Sequence, residues 1–106
     1  MSASAARRKN DRAAEIVARE AALFIAQEAS TESLITVVRT ESVAHGERIL
    51  VFVSVFPIEK ARAAVAFLEH HRHEFSDYLK SRVHMRLPRI DFLLDNGEPV
   101  GEMPKS

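Results

Sequence analysis

Residues 48–57 read RILVFVSVFP, and this stretch decides the fold. β-Branched and aromatic residues dominate it, as is typical of a strand. Successive side chains of a strand point to opposite faces, so the apolar residues at the odd positions from Ile49 to Val55 share one face. This face alone is apolar enough to form part of the core. Pro57 cannot donate a ladder hydrogen bond and suits the first turn of a helix. The stretch therefore predicts a strand over Arg48–Phe56 that leads into a helix.

Upstream of this strand, the sequence predicts a second strand and a first helix. Leu34–Val43 is also rich in β-branched residues, and only the four residues AHGE separate it from Arg48, which predicts a hairpin. Asn10 or Asp11 can cap a helix that continues to about Glu28. Apolar residues recur at helical spacing in this segment, at Ile16, Val17, Ala21 and Phe24.

A helical pattern follows Pro57 and continues to about Val83. Its apolar residues recur at steps of three and four: Ala61, Ala64, Val65, Leu68, Phe75, Leu79 and Val83. One unbroken helix of this length would span about 39 Å, whereas a compact chain of this size has a radius of gyration of about 13 Å. We therefore expect a break near residues 70–74, where polar residues interrupt the apolar stripe.

A third strand is predicted after Pro88, because Arg89 to Asp95 alternates between apolar and charged residues. Ile90, Phe92 and Leu94 occupy one side of it. The predicted fold class is α+β in the order α-β-β-α-α-β, with a three-stranded sheet and helices on one face. The expected core anchors are Val17, Phe24, Val37, Val51, Val53, Leu68, Phe75, Leu79 and Phe92.

Length and composition fit one domain. The 106 residues are 46% hydrophobic with 3 Gly and 4 Pro, and we divide them into a flexible basic N-terminus (1–9), a domain (10–95) and a poorly ordered tail (96–106). The absence of cysteine excludes disulfides and thiol chemistry. The apolar runs, such as Ile49–Val53, are too short for a bilayer. We expect a cytoplasmic protein, although the acid-free start from Met1 to Lys9 also fits a transit peptide.

Five motifs along the chain carry a resemblance to a known family. They are Ala18-Arg19-Glu20-Ala21, Leu34-Ile35-Thr36-Val37, Val51-Phe52-Val53-Ser54-Val55, Leu79 to Arg82, and Pro88-Arg89-Ile90-Asp91-Phe92. In this order and spacing, over roughly residues 10 to 95, the chain resembles the ribosome-binding factor A family.

The resemblance implies a KH-like fold of type II. It also implies a role in late maturation of the small ribosomal subunit, in which the immature particle and its rRNA are the partners. The family carries an Ala-x-Gly element at the kink between its two helices, but this chain has no glycine near Arg72-His73-Glu74. Close approach of the backbone to a phosphate is therefore in doubt at that point.

Local charge supports RNA contact, although fifteen basic residues balance fifteen acidic ones overall. The segment from Leu79 to Ile90 holds four cations and no carboxylate. The predicted RNA-binding residues are Lys80, Arg82, Arg86 and Arg89, followed by Arg72 and His73. The alternative is a solvated helix end, where basic residues suit the negative pole of the helix dipole. A second basic cluster, Arg7, Arg8, Lys9 and Arg12, is expected to have no specific role.

No motif for catalysis or cofactor binding is found. His70 and His73 are spaced for one helix face, but without a well-placed third ligand they make a poor metal site. The sequence therefore predicts no enzyme activity, no cofactor, no bound metal, no small-molecule substrate and no membrane association. It also predicts a monomer.

One feature favours a different function. Leu50, Phe52 and Phe56 lie on the face of their strand opposite the core, and Leu93 lies on the outward side of its own strand. An exposed apolar stripe of this kind is typical of a partner surface, so a protein-interaction module or a homodimer without RNA binding is the alternative. The tail, with Val100 and Met103, could instead cover this face.

Overall fold

The computed structural model describes residues 3–28, 32–84 and 86–95, with side chains from residue 12 onward apart from that of Glu28. The predicted tail 96–106 lies outside the described residues. The elements are α1 (Ala3–Glu28), β1 (Leu34–Val43), β2 (Arg48–Phe56), α2 (Ala61–His70), α3 (Arg72–Arg82) and β3 (Arg89–Leu94). Their order confirms the predicted α+β fold.

The three strands form a mixed sheet in which β2 is central. β1 pairs with β2 in antiparallel fashion and β3 pairs with β2 in parallel. A bulge at Val38 shifts the β1–β2 register, so that Val37 lies opposite Val53 and Arg39 lies opposite Phe52. The parallel pair requires a crossover, which α2 and α3 provide.

The core lies between the helices and one face of the sheet. The odd positions of β2 are buried, as the alternation predicts, together with Ile90 and Phe92 of β3. Phe24 of α1 and Phe75 of α3 meet with ring centroids 5.2 Å apart, and Phe75 lies 5.7 Å from Phe92. Of the nine expected anchors, eight are buried and Val37 packs partly buried against the same cluster.

The first helix begins earlier than the capping pattern predicts. α1 starts at Ala3 rather than at Asn10 or Asp11, so it includes residues 3–9. The alanine, arginine and lysine residues there are strong helix formers, and none of them stops a helix. Ala14 is the first fully buried residue among those described, and its carbonyl accepts a 2.9 Å hydrogen bond from the Thr40 hydroxyl.

The predicted break between the second and third helices is present at His71. Its backbone torsions are φ −97° and ψ 15°, and its N–H donates to the carbonyls of Phe67 and Leu68 at the end of α2. The His71 carbonyl then accepts from the N–H of Phe75 at 3.0 Å, in α3. Because φ is negative, the break does not require glycine.

Left-handed backbone occurs instead in the β1–β2 turn. Ala44, His45 and Gly46 have φ values of 54°, 56° and 86°. This conformation is unstrained for glycine but costs residues with a Cβ atom. Among the described residues, this turn is where residues with a Cβ atom adopt left-handed backbone.

Candidate nucleic-acid interface

Asp91 of β3 is surrounded by three arginines. Its carboxylate is only 8% exposed and accepts hydrogen bonds from Arg48 Nε to Oδ2 at 2.6 Å and from Arg72 Nη1 to Oδ1 at 2.8 Å. Arg89 Nε lies 3.3 Å from both carboxylate oxygens. The three arginines come from β2, from the start of α3 and from β3. We call Arg48, Arg72, Arg89 and Asp91 the Asp91 cluster.

The environment of Asp91 keeps it ionised at neutral pH. Burial alone would raise the pKa of this carboxyl, but the hydrogen bonds and positive charges of Arg48 and Arg89 outweigh burial and lower it. Three guanidinium groups against one carboxylate leave an excess of positive charge. Glu69 offsets part of this excess, since its carboxylate lies 3.3 Å from Arg72 Nη1.

Arg86 and Arg89 line a shared cavity at the end of the sheet. The cavity has a volume of about 320 Å³ and lies where the β1–β2 turn meets the connection into β3. The Arg89 N–H donates to the Glu47 carbonyl at 3.1 Å, which fixes the two segments together. The lining residues are His45, Gly46, Glu47, Arg86, Leu87, Pro88 and Arg89. Within the described residues Arg86 is exposed and forms no ion pair.

Arg82 has an acidic partner that the sequence does not reveal. Its Nε donates to Glu20 Oε1 at 2.5 Å, and its guanidinium carbon lies 5.3 Å from the centre of the Tyr78 ring. The hydrogen bond to Glu20, together with its negative charge, raises the pKa of Arg82. The segment from Leu79 to Ile90 contains no carboxylate, but α1 supplies one. Arg82 therefore ties α3 to α1.

Lys80 and His73 are the remaining predicted contact residues. Both are exposed on α3, and neither has an ion-pair partner among residues 12–27, 32–84 and 86–95. Next to His73, the His71 ring packs 4.4 Å from the Phe67 ring and contacts the Glu74 carboxylate. The structure thus brings Arg72 and Arg89 together through Asp91, and Arg86 and Arg89 through the cavity. Among the described side chains, no contact joins Lys80 or His73 to these arginines.

Of the second basic cluster, only Arg12 has a described side chain, and it is exposed. The side chains of Arg7, Arg8 and Lys9 lie outside the described residues.

The outer face of the sheet is apolar only in part. Leu50, Phe52 and Leu93 are half-buried there, and the Arg39 guanidinium carbon lies 3.9 Å from the centre of the Phe52 ring. Arg39 also pairs with Glu41 and Asp95 at 3.3 Å and 3.4 Å. The most exposed apolar residues described are Leu34 (66%) and Phe56 (73%), which lie opposite each other at the far end of the hairpin.

The described side chains hold no group of three His, Asp or Glu residues that could bind a metal ion. In the same part of the chain, no helix has the length and apolar character needed to span a membrane.

These elements define a KH-like α+β domain of type II with a cationic end of the sheet. Among solved structures, the chain matches the crystal structure of ribosome-binding factor A from Thermus thermophilus, with a TM-score of 0.67 and 27% sequence identity. The match covers 83% of this chain and 97% of that one. It confirms the resemblance to the ribosome-binding factor A family. No family model matches the chain, and no curated protein sequence does.

Sequence reasoning missed three residues of this region: Arg48, Asp91 and Glu20. The alternation of β3 places Asp91 on a charged, outward-facing side of the strand, yet the residue is buried. Its contact with Arg48 depends on the parallel register of β2 and β3, which no local pattern encodes. Only the charge of Arg48 at the start of a strongly apolar strand is a signal that could have singled it out.

Proposed function

We propose that this chain is a non-catalytic, cytoplasmic ribosome maturation factor that binds the immature small ribosomal subunit and its rRNA. The main support is the structural match, in which ribosome-binding factor A shares the fold over 83% of this chain. The order of the five sequence motifs supports the same family independently. Fold likeness alone does not define function. The proposal therefore also needs a surface that can bind RNA, and the exposed cations supply it.

The surface offers cations of two kinds. Lys80 and Arg86 are exposed and without ion-pair partners in the described part of the chain. Arg72, Arg82 and Arg89 are each held by a carboxylate through some of their N–H groups and keep others for a phosphate. We propose these five, with His73, as the RNA-contacting residues. Contacts of this kind read the shape and backbone of RNA rather than its sequence.

Sedimentation of a lysate through a sucrose gradient tests this function. The tagged protein is expected to migrate with small-subunit precursors at low salt and to leave them at high salt, because phosphate contacts release counterions. The double variant Lys80→Gln/Arg86→Gln should shift to the top of the gradient at lower salt than the wild type. Lys60→Gln/Arg62→Gln, which removes the same charge from another part of the surface, is the matched control. A wild-type protein that stays at the top of the gradient at every salt concentration contradicts the proposal.

The alternative function, a homodimer or protein-interaction module built on the outer sheet face, rests on the exposed pair Leu34 and Phe56. It predicts a concentration-dependent dimer in analytical ultracentrifugation that Phe56→Ser abolishes. The contact of Arg39 with Phe52 places a charged group over the centre of that face, which disfavours a dry interface there.

A further inference from the structure

The Asp91 cluster fixes three guanidinium groups from distant parts of the chain. Arg48 and Asp91 are 43 positions apart, and Arg72 and Asp91 are 19 apart. Each arginine has five N–H donors, and each presents only one of its nitrogens to Asp91. The side chains of Arg48 and Arg89 remain 47% and 63% exposed. The cluster is therefore ordered on its inner side and has unused donors on its outer side.

The position of the cluster connects it to the neighbouring cavity. Arg48 and Arg89 lie opposite each other in the parallel register of β2 and β3. Arg89 also lines the cavity that contains Arg86 and His45. Oriented guanidinium groups bind phosphate oxygens through paired N–H bonds, and orientation before binding lowers the entropic cost of association.

We propose that Asp91 is a positioning residue that holds Arg48, Arg72 and Arg89 as one binding site for an RNA phosphate, with Arg48 as a contact residue. This inference rests on the proposed function, since the RNA is the source of the phosphate. It adds Arg48 to the interface and gives the buried carboxylate a role in it. Arg86, on the wall of the adjoining cavity, lies next to this site.

The variant Asp91→Asn tests the proposal, because a net-charge effect and a positioning role predict opposite changes in RNA affinity. If only net charge mattered, Asp91→Asn would raise the charge of the surface by one unit and tighten RNA binding. If Asp91 positions the arginines, the same change releases them and weakens binding despite the added positive charge. Loss of folded protein would also weaken binding, so the comparison is made at a temperature at which both proteins are folded.

Binding of isolated small-subunit rRNA, followed by fluorescence anisotropy at several salt concentrations, measures the effect. We expect Asp91→Asn to weaken binding about 3- to 10-fold. The matched control is Asp95→Asn, which makes the same change of charge on the residue that follows β3 and is expected to bind at least as tightly as the wild type. Thermal unfolding shows whether each variant is folded at the assay temperature.

Arg48 provides a second test that does not depend on the stability of an Asp91 variant. Arg48→Lys keeps the charge but lacks the planar donor fork, and we expect it to bind several-fold more weakly than the wild type. Arg48→Gln should weaken binding further and reduce the salt slope by about 0.7 to 1. Arg62→Gln, an exposed arginine on α2, is the control for loss of charge and is expected to change binding less than about 2-fold.

The outcomes separate the two proposals. If the wild type binds no rRNA, the proposed function fails. If the wild type binds but Asp91→Asn is equal to it or tighter, or if Arg48→Lys equals the wild type, the positioning role is overturned and the function stands. Inorganic phosphate is the second probe. At constant ionic strength it is expected to compete with RNA for the wild type more strongly than for Asp91→Asn, and equal competition in both proteins overturns the positioning role.

Discussion

Phe92, together with Ile90, connects the last strand to the core. It is 1% exposed and packs against Phe75 of α3. We expect Phe92→Ala to lower the free energy of unfolding by about 3 to 5 kcal/mol, because the lost contacts leave a cavity. Urea denaturation measures this loss. Leu93→Ala, on the half-buried outer face of the same strand, should cost less than half as much, and a loss below about 1 kcal/mol for Phe92→Ala would contradict its burial.

Asp91 makes a pH-dependent contribution to stability. Because its pKa is lower in the folded protein than the usual value of about 3.9, its contribution is complete above that value and is lost as the pH falls through the folded-state pKa. At neutral pH we expect Asp91→Asn to cost about 1 to 3 kcal/mol. The difference from the wild type should shrink below about pH 4. Urea denaturation at a series of pH values measures it, and a constant difference down to about pH 3 would contradict the assignment.

The chain forms the break between α2 and α3 at His71, without a glycine. Its negative φ predicts that His71→Gly is less stable than His71→Ala by about 1 kcal/mol, since glycine loses more backbone entropy. Both variants lose the ring contact with Phe67, so their difference isolates the backbone. Thermal unfolding compares them. Equal or greater stability of the glycine variant would show that the break prefers a more flexible residue.

In the β1–β2 turn, unlike at the helix break, we expect a substitution by glycine to stabilise the protein. Ala44 has a φ of 54°, a conformation that disfavours residues with a Cβ atom. We expect Ala44→Gly to raise the free energy of unfolding by about 0.5 to 1 kcal/mol. Ala66→Gly, at an exposed position within α2, is the control and should lower it by about 1 kcal/mol. A loss of stability in Ala44→Gly would remove the argument for strain in this turn.

The elements could be predicted where a local pattern encodes them. The alternation in β2 and the apolar steps in α2 and α3 indicate the fold order, and the polar interruption indicates the break. The predicted start of α1 was wrong because a capping signal marks where a helix can begin and does not prevent an alanine-rich segment from extending it. The length argument that predicts the break does not limit α1, which reaches 26 residues.

The candidate site could be predicted only at the level of individual cations. The basic segment singles out Arg89, and the helix junction highlighted by the family resemblance singles out Arg72. Their common partner Asp91 depends on how β3 lies beside β2 and the start of α3. Likewise, Glu20 meets Arg82 only when α1 packs against α3. Pairings of this kind join residues far apart in the sequence, so composition and spacing do not reveal them.

At the scale of the whole molecule, equal numbers of acidic and basic residues coexist with a cationic end of the sheet. With one phosphate on the Asp91 cluster and one each on Lys80, Arg82 and Arg86, four phosphate contacts predict a slope of roughly −3 in the logarithm of affinity against that of salt concentration. From about 50 to 200 mM salt, we expect rRNA affinity to fall on the order of 60-fold. The unfolding temperature should change little over this range, since exposed ion pairs contribute little to stability. Anisotropy titrations and thermal melts in the same buffers test both expectations, and a flat affinity would contradict contact through phosphates.

The mixed sheet also determines the order in which the molecule can assemble. β1 and β2 are joined by a short turn, whereas the partners Arg48 and Asp91 on β2 and β3 are 43 positions apart. Closing the longer loop costs about 2 kcal/mol more in chain entropy. We therefore expect the hairpin to form early and β3 to dock late, so that damage to β3 mainly accelerates unfolding and damage to the hairpin slows folding in stopped-flow measurements.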